Sequence, residues 1–299
     1  MAHAHLTAGD VNPIYAKNEV TYGTLATGSL NYYGDVAEGG AIRFTDTPNP
    51  HLAWRSGSRT YDPDDYVSTQ QDAGFSAGME VRDVAGWDQV IGNAYTAFGT
   101  SLPFRSVNFS VGGRGGHKSR IYLGVKTDSL TVSADAPGAV VKFEETALAA
   151  YALDAGGPTT DPTDAAAVQW LGGADVDGST IYPQSFSLSI RNNLERIRGP
   201  AFTGQTIGST ATRSLAEGRC EMELSLEVWL DDLTYMTHDM ANTSAPSAIT
   251  LTLGITNPKE ITLSDISWMA DGQHADLKQD KMKQTLRFRV GALAVSTPA

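Results

Sequence analysis

The sequence predicts a mainly β protein, an antiparallel barrel or sandwich with one flanking α-helix and long loops. Three observations point there. First, apolar and polar residues alternate with period two in several separate stretches, above all 185–190 and 220–230. Strict alternation puts one row on a core and the other toward water. Second, thirty glycines and thirteen prolines punctuate the 299 residues, as many strands joined by turns require. Third, only 83–99 shows a sustained helical stripe. The whole reads as one domain over 1–299, with 45–72 as an insertion and a weak boundary at the Gly/Pro/Thr-rich 155–162.

In chain order, 19–24 (Glu-Val-Thr-Tyr-Gly-Thr) reads as extended chain with a glycine turn. A short strand follows at 41–44. The segment 45–72, rich in Pro, Asn, Asp, Ser and Arg, reads as irregular. Residues 74–81 form a strand with Phe75, Ala77 and Met79 on one face. In the helix, Val84, Trp87, Val90, Ile91, Ala94 and Phe98 fall at three- and four-residue spacing, with Asp83 as N-cap and Gly99 as C′ glycine. Strands follow at 105–111, 121–126 and 128–134. Residues 140–153 begin in strand register and could continue as helix. Residues 164–171 suggest a short helix stopped by Gly172 and Gly173.

Two long strands then anchor the pattern. Phe186, Leu188 and Ile190 alternate with serines, and Cys220, Met222, Leu224, Leu226, Val228 and Leu230 form one apolar row. Cys220 is thereby expected to be buried and unreactive. Between them lies a charged connection of about twenty residues, long enough to suggest a function. A brief helix is expected at 233–240, a hairpin across 249–263, a loop at 264–282 and a last strand at 284–291. The tally is about ten strands and two or three short helices.

Composition excludes several classes. The net charge of −12 argues against wrapping nucleic acid, which needs clustered Lys and Arg. One cysteine excludes an internal disulfide and any cysteine-cluster metal site. No run is long and apolar enough for a membrane span, and residues 1–10 lack the apolar core of a secretory signal.

Chemistry-bearing motifs are weak. In 112–119, His117 stands where the phosphate loop needs Gly, and a strand follows where a helix is required, so no nucleotide site is expected. The six histidines lack metal-ligand spacing, and Asp62, Asp64 and Asp65 lack the Gly and terminal Glu of a calcium loop. His238 with Asp231, Asp232 and Asp239 reads as helix capping. No Ser sits in a nucleophile elbow. No catalytic residue, cofactor or metal ion is expected.

Several segments together resemble the tail tube proteins of tailed bacterial and archaeal viruses. They are 19–24, then 120–125 with 128–134, then 186–195, then 215–219 running into the long strand, then 251–263 and 284–290. Order and spacing carry the resemblance. Nothing in 45–72 matches it. The resemblance implies a structural virion protein and no enzyme: six copies form a ring, and rings stack into the tail tube that conducts DNA at ejection. It implies partnership with itself and other tail proteins, DNA passing without sequence-specific binding, assembly in the host cytoplasm and residence in the virion tail. The long loops then become inter-subunit contacts, and Asn192, Asn193, Glu195, Arg196, Arg198, Arg213 and Arg219 are the candidate contact residues. The competing readings are a carbohydrate-binding sandwich, or another viral part such as a tail terminator or minor capsid protein. The first wants an aromatic platform and paired carboxylates, whereas Trp54, Trp87, Trp170, Trp229 and Trp268 are dispersed.

Overall fold

The computed structural model describes residues 11–37, 40–45, 47–52, 66–97, 99–111, 118–153, 159–160, 163, 166–200, 210–229, 245–254, 258–278 and 281–297. Strands β1 (Val11–Asn18), β2 (Asn31–Val36), β3 (Ile42–Phe44), β4 (Thr47–Leu52) and β5 (Tyr66–Glu80) precede helix α1 (Val84–Ala94). Then come β6 (Arg105–Val111), β7 (Lys118–Ala134), β8 (Lys142–Ala149), β9 (Tyr151–Leu153), β10 (Trp170–Val176), β11 (Ser179–Ile181) and β12 (Ser185–Arg191). The chain continues through β13 (Glu195–Pro200), β14 (Thr210–Ala216), β15 (Glu221–Trp229), β16 (Ala248–Leu253) and β17 (Lys259–Ser264). It closes with β18 (Ser267–Lys278), β19 (Lys281–Val290) and β20 (Ala292–Ser296). The chain is mainly β, as its alternation demands.

Following the hydrogen bonds, β1, β2, β5, β8, β7 and β6 return to β1, with every neighbouring pair antiparallel. The six strands close a barrel, which removes their free edges. The closing step is narrow, only Asp35↔Glu80 and Val36↔Met79. Inside, Phe75 packs edge-on to Phe109 at 4.8 Å, and Phe44 lies over Tyr122 at 5.8 Å toward solvent. Edge-to-face and offset packing suit the ring quadrupoles.

β7 is shared. Its first half pairs with β6, and its second half with β8 and β12. The strand bends at Gly124, whose φ is +62°. A Cβ there would meet Ala150 Cβ and the Tyr22 ring at 2.9 Å, so only glycine fits. Beyond the bend, β7, β12, β15, β19 and β18 continue as an antiparallel sheet. A second sheet, ordered β11-β10-β16-β17-β20, contributes to the same core. Trp170 of β10 meets Phe186 of β12 at 5.0 Å, and Leu251, Leu263, Leu224 and Phe288 complete the filling. The molecule is a barrel continued by a sandwich.

Several expectations are corrected. Segment 45–72 is not irregular throughout: β4 pairs with the start of β5, and 53–65 lie outside the described residues. The connection after β12 is the hairpin β13–β14. Residues 142–153 are strands β8 and β9, because Phe143, Glu145 and Ala147 alternate inward. Residues 170–176 form β10 instead of ending a helix, since Trp170 N donates to Ala139 O and the strand pairs with β16. Polar 267–278 form β18, held by pairing along β19. Helix α1 begins after Asp83 as expected but stops at Ala94, where Asn192 Nδ2 donates to the Ala94 carbonyl. Cys220 is exposed: β15 starts at Glu221, so the cysteine sits before the buried row. The expected helix at 233–240, the tip 112–117, and Asp62, Asp64, Asp65 and His238 lie outside the described residues.

The β12–β15 register, Leu188↔Leu224 and Phe186↔Leu226, matches the sequence pattern. Leu226 is 0% exposed, while Ser225 is half-buried on the other face. Leu226→Ala is therefore expected to destabilise the protein by about 2–5 kcal/mol, and Ser225→Ala by little. Urea unfolding of the two variants checks this; equal midpoints would mean the rows are exchanged.

Candidate functional site

Of the seven candidate contact residues, Asn192, Asn193 and Arg219 meet at the corner where β12 leaves the sheet and β15 re-enters it, and Glu195, Arg196, Arg198 and Arg213 belong to the hairpin β13–β14. Asn192 is buried, and its amide donates to the carbonyls of Ala94 and Thr127 at 2.8 and 3.0 Å. It joins helix, barrel and corner within the chain. Asn193 takes φ +49° and donates to Arg219 O at 2.8 Å, closing the turn. Asn tolerates this left-handed conformation better than most residues. Leu194 N then donates to the Asp128 carboxylate at 2.8 Å.

Arg196 works within the chain too. Its guanidinium donates to Ala73 O at 2.7 Å and Ala149 O at 3.1 Å, with Asp72 at 3.8 Å. These contacts tie hairpin β13–β14 to β5 and to the end of β8. Thr210 of β14 pairs parallel with Gln70 of β5, so two hairpins lie side by side in the order β4-β5-β14-β13. Glu195 and Arg219 are exposed, and Ile197 is 49% exposed on the same arm. The side chains of Arg198 and Arg213 lie outside the described residues, although their backbones belong to β13 and β14.

Two buried polar clusters that no sequence motif marks position this corner. Inside the barrel, Arg105 donates to Glu145 and, at 2.9 Å, to Thr127 Oγ1. Two hydroxyls also donate to Glu145: Thr127 Oγ1 at 2.6 Å and Tyr33 OH at 2.9 Å. Arg105 also lies over the Tyr33 ring, 5.1 Å from its centroid. All four residues are at most 1% exposed. Burial alone would lower the Arg105 pKa; the Glu145 carboxylate and Tyr33 outweigh it and hold the guanidinium above its usual range. A signal existed: Arg105 shares the inward row of Val107 and Phe109, and Glu145 that of Phe143 and Ala147.

On the barrel's other surface, Glu19 accepts from Gly124 N, Ser106 Oγ and Gly23 N at 2.9, 2.8 and 2.9 Å. This carboxylate holds the 19–30 segment against β6 and the bend of β7. Burial raises its pKa from 4.5, with the three donors pulling the other way. Among the described residues no group of three or more His, Cys, Asp or Glu side chains could hold a metal ion. No described helix is long and apolar enough to cross a membrane.

Two outcomes follow. Replacing one member of a buried ion pair strands the other, so Glu145→Leu alone should destabilise by about 3–5 kcal/mol. Arg105→Met combined with Glu145→Leu should destabilise by clearly less than the two single changes summed, as a double-mutant cycle in urea would read. For Glu19, a raised folded pKa means that the fold favours the protonated acid. Its contribution is fully present below 4.5 and is lost as pH rises through the folded value. Wild-type stability relative to Glu19→Gln should therefore fall across that window and level off above it.

Comparison with known proteins gives one family: a model described as phage tail tube protein matches residues 9–290. No curated protein matches the chain.

Proposed function

The chain belongs to the phage tail tube proteins, and from that premise we propose that six copies close into a ring and that rings stack into a conduit for ejected DNA. Family membership makes it a structural component of the viral tail. The finer assignment, including assembly in the host cytoplasm and contacts with other tail proteins, is our reading.

One observation carries it: the outer face of the sheet β8-β7-β12-β15-β19. Its middle shows Ser129, Thr131 and Ser133 on β7, Ser185, Ser187 and Ser189 on β12, and Ser225 on β15, all half-buried. At the usual strand spacing, five strands make a surface about 20 Å wide. Small hydroxyl side chains leave it flat and hydrated. The charges at its margin are mostly matched, and Glu144 of β8, exposed on the same side, adds an anion. Glu227 binds Lys283 at 2.6 Å, and Glu223 meets Arg287 at 3.6 Å. Arg191 stands opposite Glu221 and Arg289 opposite Glu223.

DNA binding needs cations free to replace counterions along the phosphates. This face offers mostly matched charges and serines, so a polyanion can pass without being held. We assign it to the lumen wall. The paired hairpins β4–β5 and β13–β14, with exposed Ile197 and Glu195, then reach a neighbouring subunit. A head-to-tail contact that closes makes the ring.

Electron microscopy of the purified protein is expected to show rings or tubes about 100 Å across, the size of six such subunits around an axis. A strictly monomeric species at high concentration, across salt, overturns the reading. Ser187→Arg with Ser189→Arg should still assemble, and its tubes should retain linear double-stranded DNA that wild-type tubes release. Variant tubes that release DNA equally would remove this face from the lumen.

A further inference from the structure

A cleft of about 530 Å³ opens at the corner described above, between the segment after α1, the start of β15 and Gly291. Tyr95, Leu102 and Met222 give it apolar walls. Glu217 at its edge is already neutralised by Lys126 at 2.5 Å and by Leu102 N at 3.0 Å. Arg219 is different. It is exposed at the cleft, and among the described residues no carboxylate pairs with its guanidinium. In a chain of net charge −12, such a cation is the natural seat for an acidic group.

The complementary shape lies at the C-terminal end of β7, the strand that runs past the cleft. The cleft adjoins the middle of β7, where Asn192 N donates to Asp128 O at 2.7 Å. Six residues on, about 20 Å along an extended strand, β7 ends in the exposed turn 135–138, Asp-Ala-Pro-Gly. This turn is a rigid knob. Gly138 N donates to Trp170 O at 2.6 Å, and Trp170 N donates back to Ala139 O at 3.0 Å. Pro137 packs on Gly172, where any Cβ would come within 2.8 Å. Asp135 projects with its side chain 80% exposed, and its pairing with Lys142 at 3.3 Å is a surface contact of little strength. Leu171, 59% exposed, stands beside it as an apolar neighbour.

Building on the tube reading, we propose that the 135–138 knob of one copy seats in the cleft of the next, with Asp135 against Arg219. The two surfaces are unlike and lie about 20 Å apart along β7. Such a contact is head-to-tail, and one that does not close on itself propagates a filament. It is the stacking contact between rings. Because the knob is held by its own backbone bonds, little ordering is lost on docking.

Charge exchange tests this. Arg219→Glu and Asp135→Arg should each fold and melt like wild type, since both side chains are exposed. Each alone should lose long tubes in negative-stain micrographs and sediment as rings or smaller species. The double variant, Arg219→Glu with Asp135→Arg, should regain tubes. Single variants that form tubes of wild-type length, or a double variant as short as the singles, would overturn the knob-and-cleft contact and leave the tube reading intact. A wild-type protein that never assembles removes both. Should Arg219→Glu fail to fold, Asp135→Arg alone decides, because its site lies outside the cleft.

Discussion

Arg105 and Glu145 meet inside the barrel from strands forty residues apart in sequence. Two ions withdrawn from water need one another, and they need their remaining hydrogen-bonding capacity filled. Thr127 and Tyr33 supply most of it. The four residues come from β2, β6, β7 and β8, so the network is satisfied only when these strands occupy their places around the barrel. A greasy filling would tolerate a shifted strand. This one leaves a bare charge if any strand slips by one residue, because a slip turns the row outward.

The bend of β7 depends on that order. Its first half must stay in the barrel while its second half leads the sandwich. Gly124 supplies the backbone conformation, and Glu19 accepts the amide hydrogen of that same glycine. Asn192 then fastens the exit of β12 to the carbonyls of Thr127 and Ala94. A line of buried polar contacts therefore runs from the barrel interior to the corner where β12 leaves the sheet. The hydroxyl face, the arm and the cleft are exposed, but each is held by these buried groups.

How much of this could be read in the sequence follows from what encodes each part. Strands with one buried face write their register as alternation, so β12, β15 and β6 are legible to within a residue and β19 to within three. Cys220 was misplaced by carrying the alternation one residue past the last paired position. Strands that owe their conformation to a partner were not legible. β4, β13 and β18 are polar or proline-containing, and each is extended because β5, β14 or β19 lies alongside. The stretch before Trp170 looked helical from its alanines, yet Trp170 itself is claimed by backbone bonds to the 138–139 turn. The candidate contact residues stand out in the sequence, since charge density in a long connection is visible. Their division was not. Asn192 and Arg196 are committed to the subunit's own carbonyls, and polarity alone does not tell an inward amide or guanidinium from an outward one.

The barrel's closure also governs how quickly the chain can reach its native state. Ala73–Met79 of β5 can pair only after Phe143–Ala149 of β8 has been made, some seventy residues later. Closing such a span costs chain entropy before any contact offsets it, and topologies dominated by distant pairings fold in milliseconds to seconds, not microseconds. Local hairpins such as β6–β7, β16–β17 and β18–β19 can form at once. During the wait they present unpaired strand edges in a chain synthesised in many copies. A subunit built to join its neighbours must therefore finish closing on itself before those neighbours meet it, and the rate of barrel closure sets how concentrated the unassembled protein can safely become.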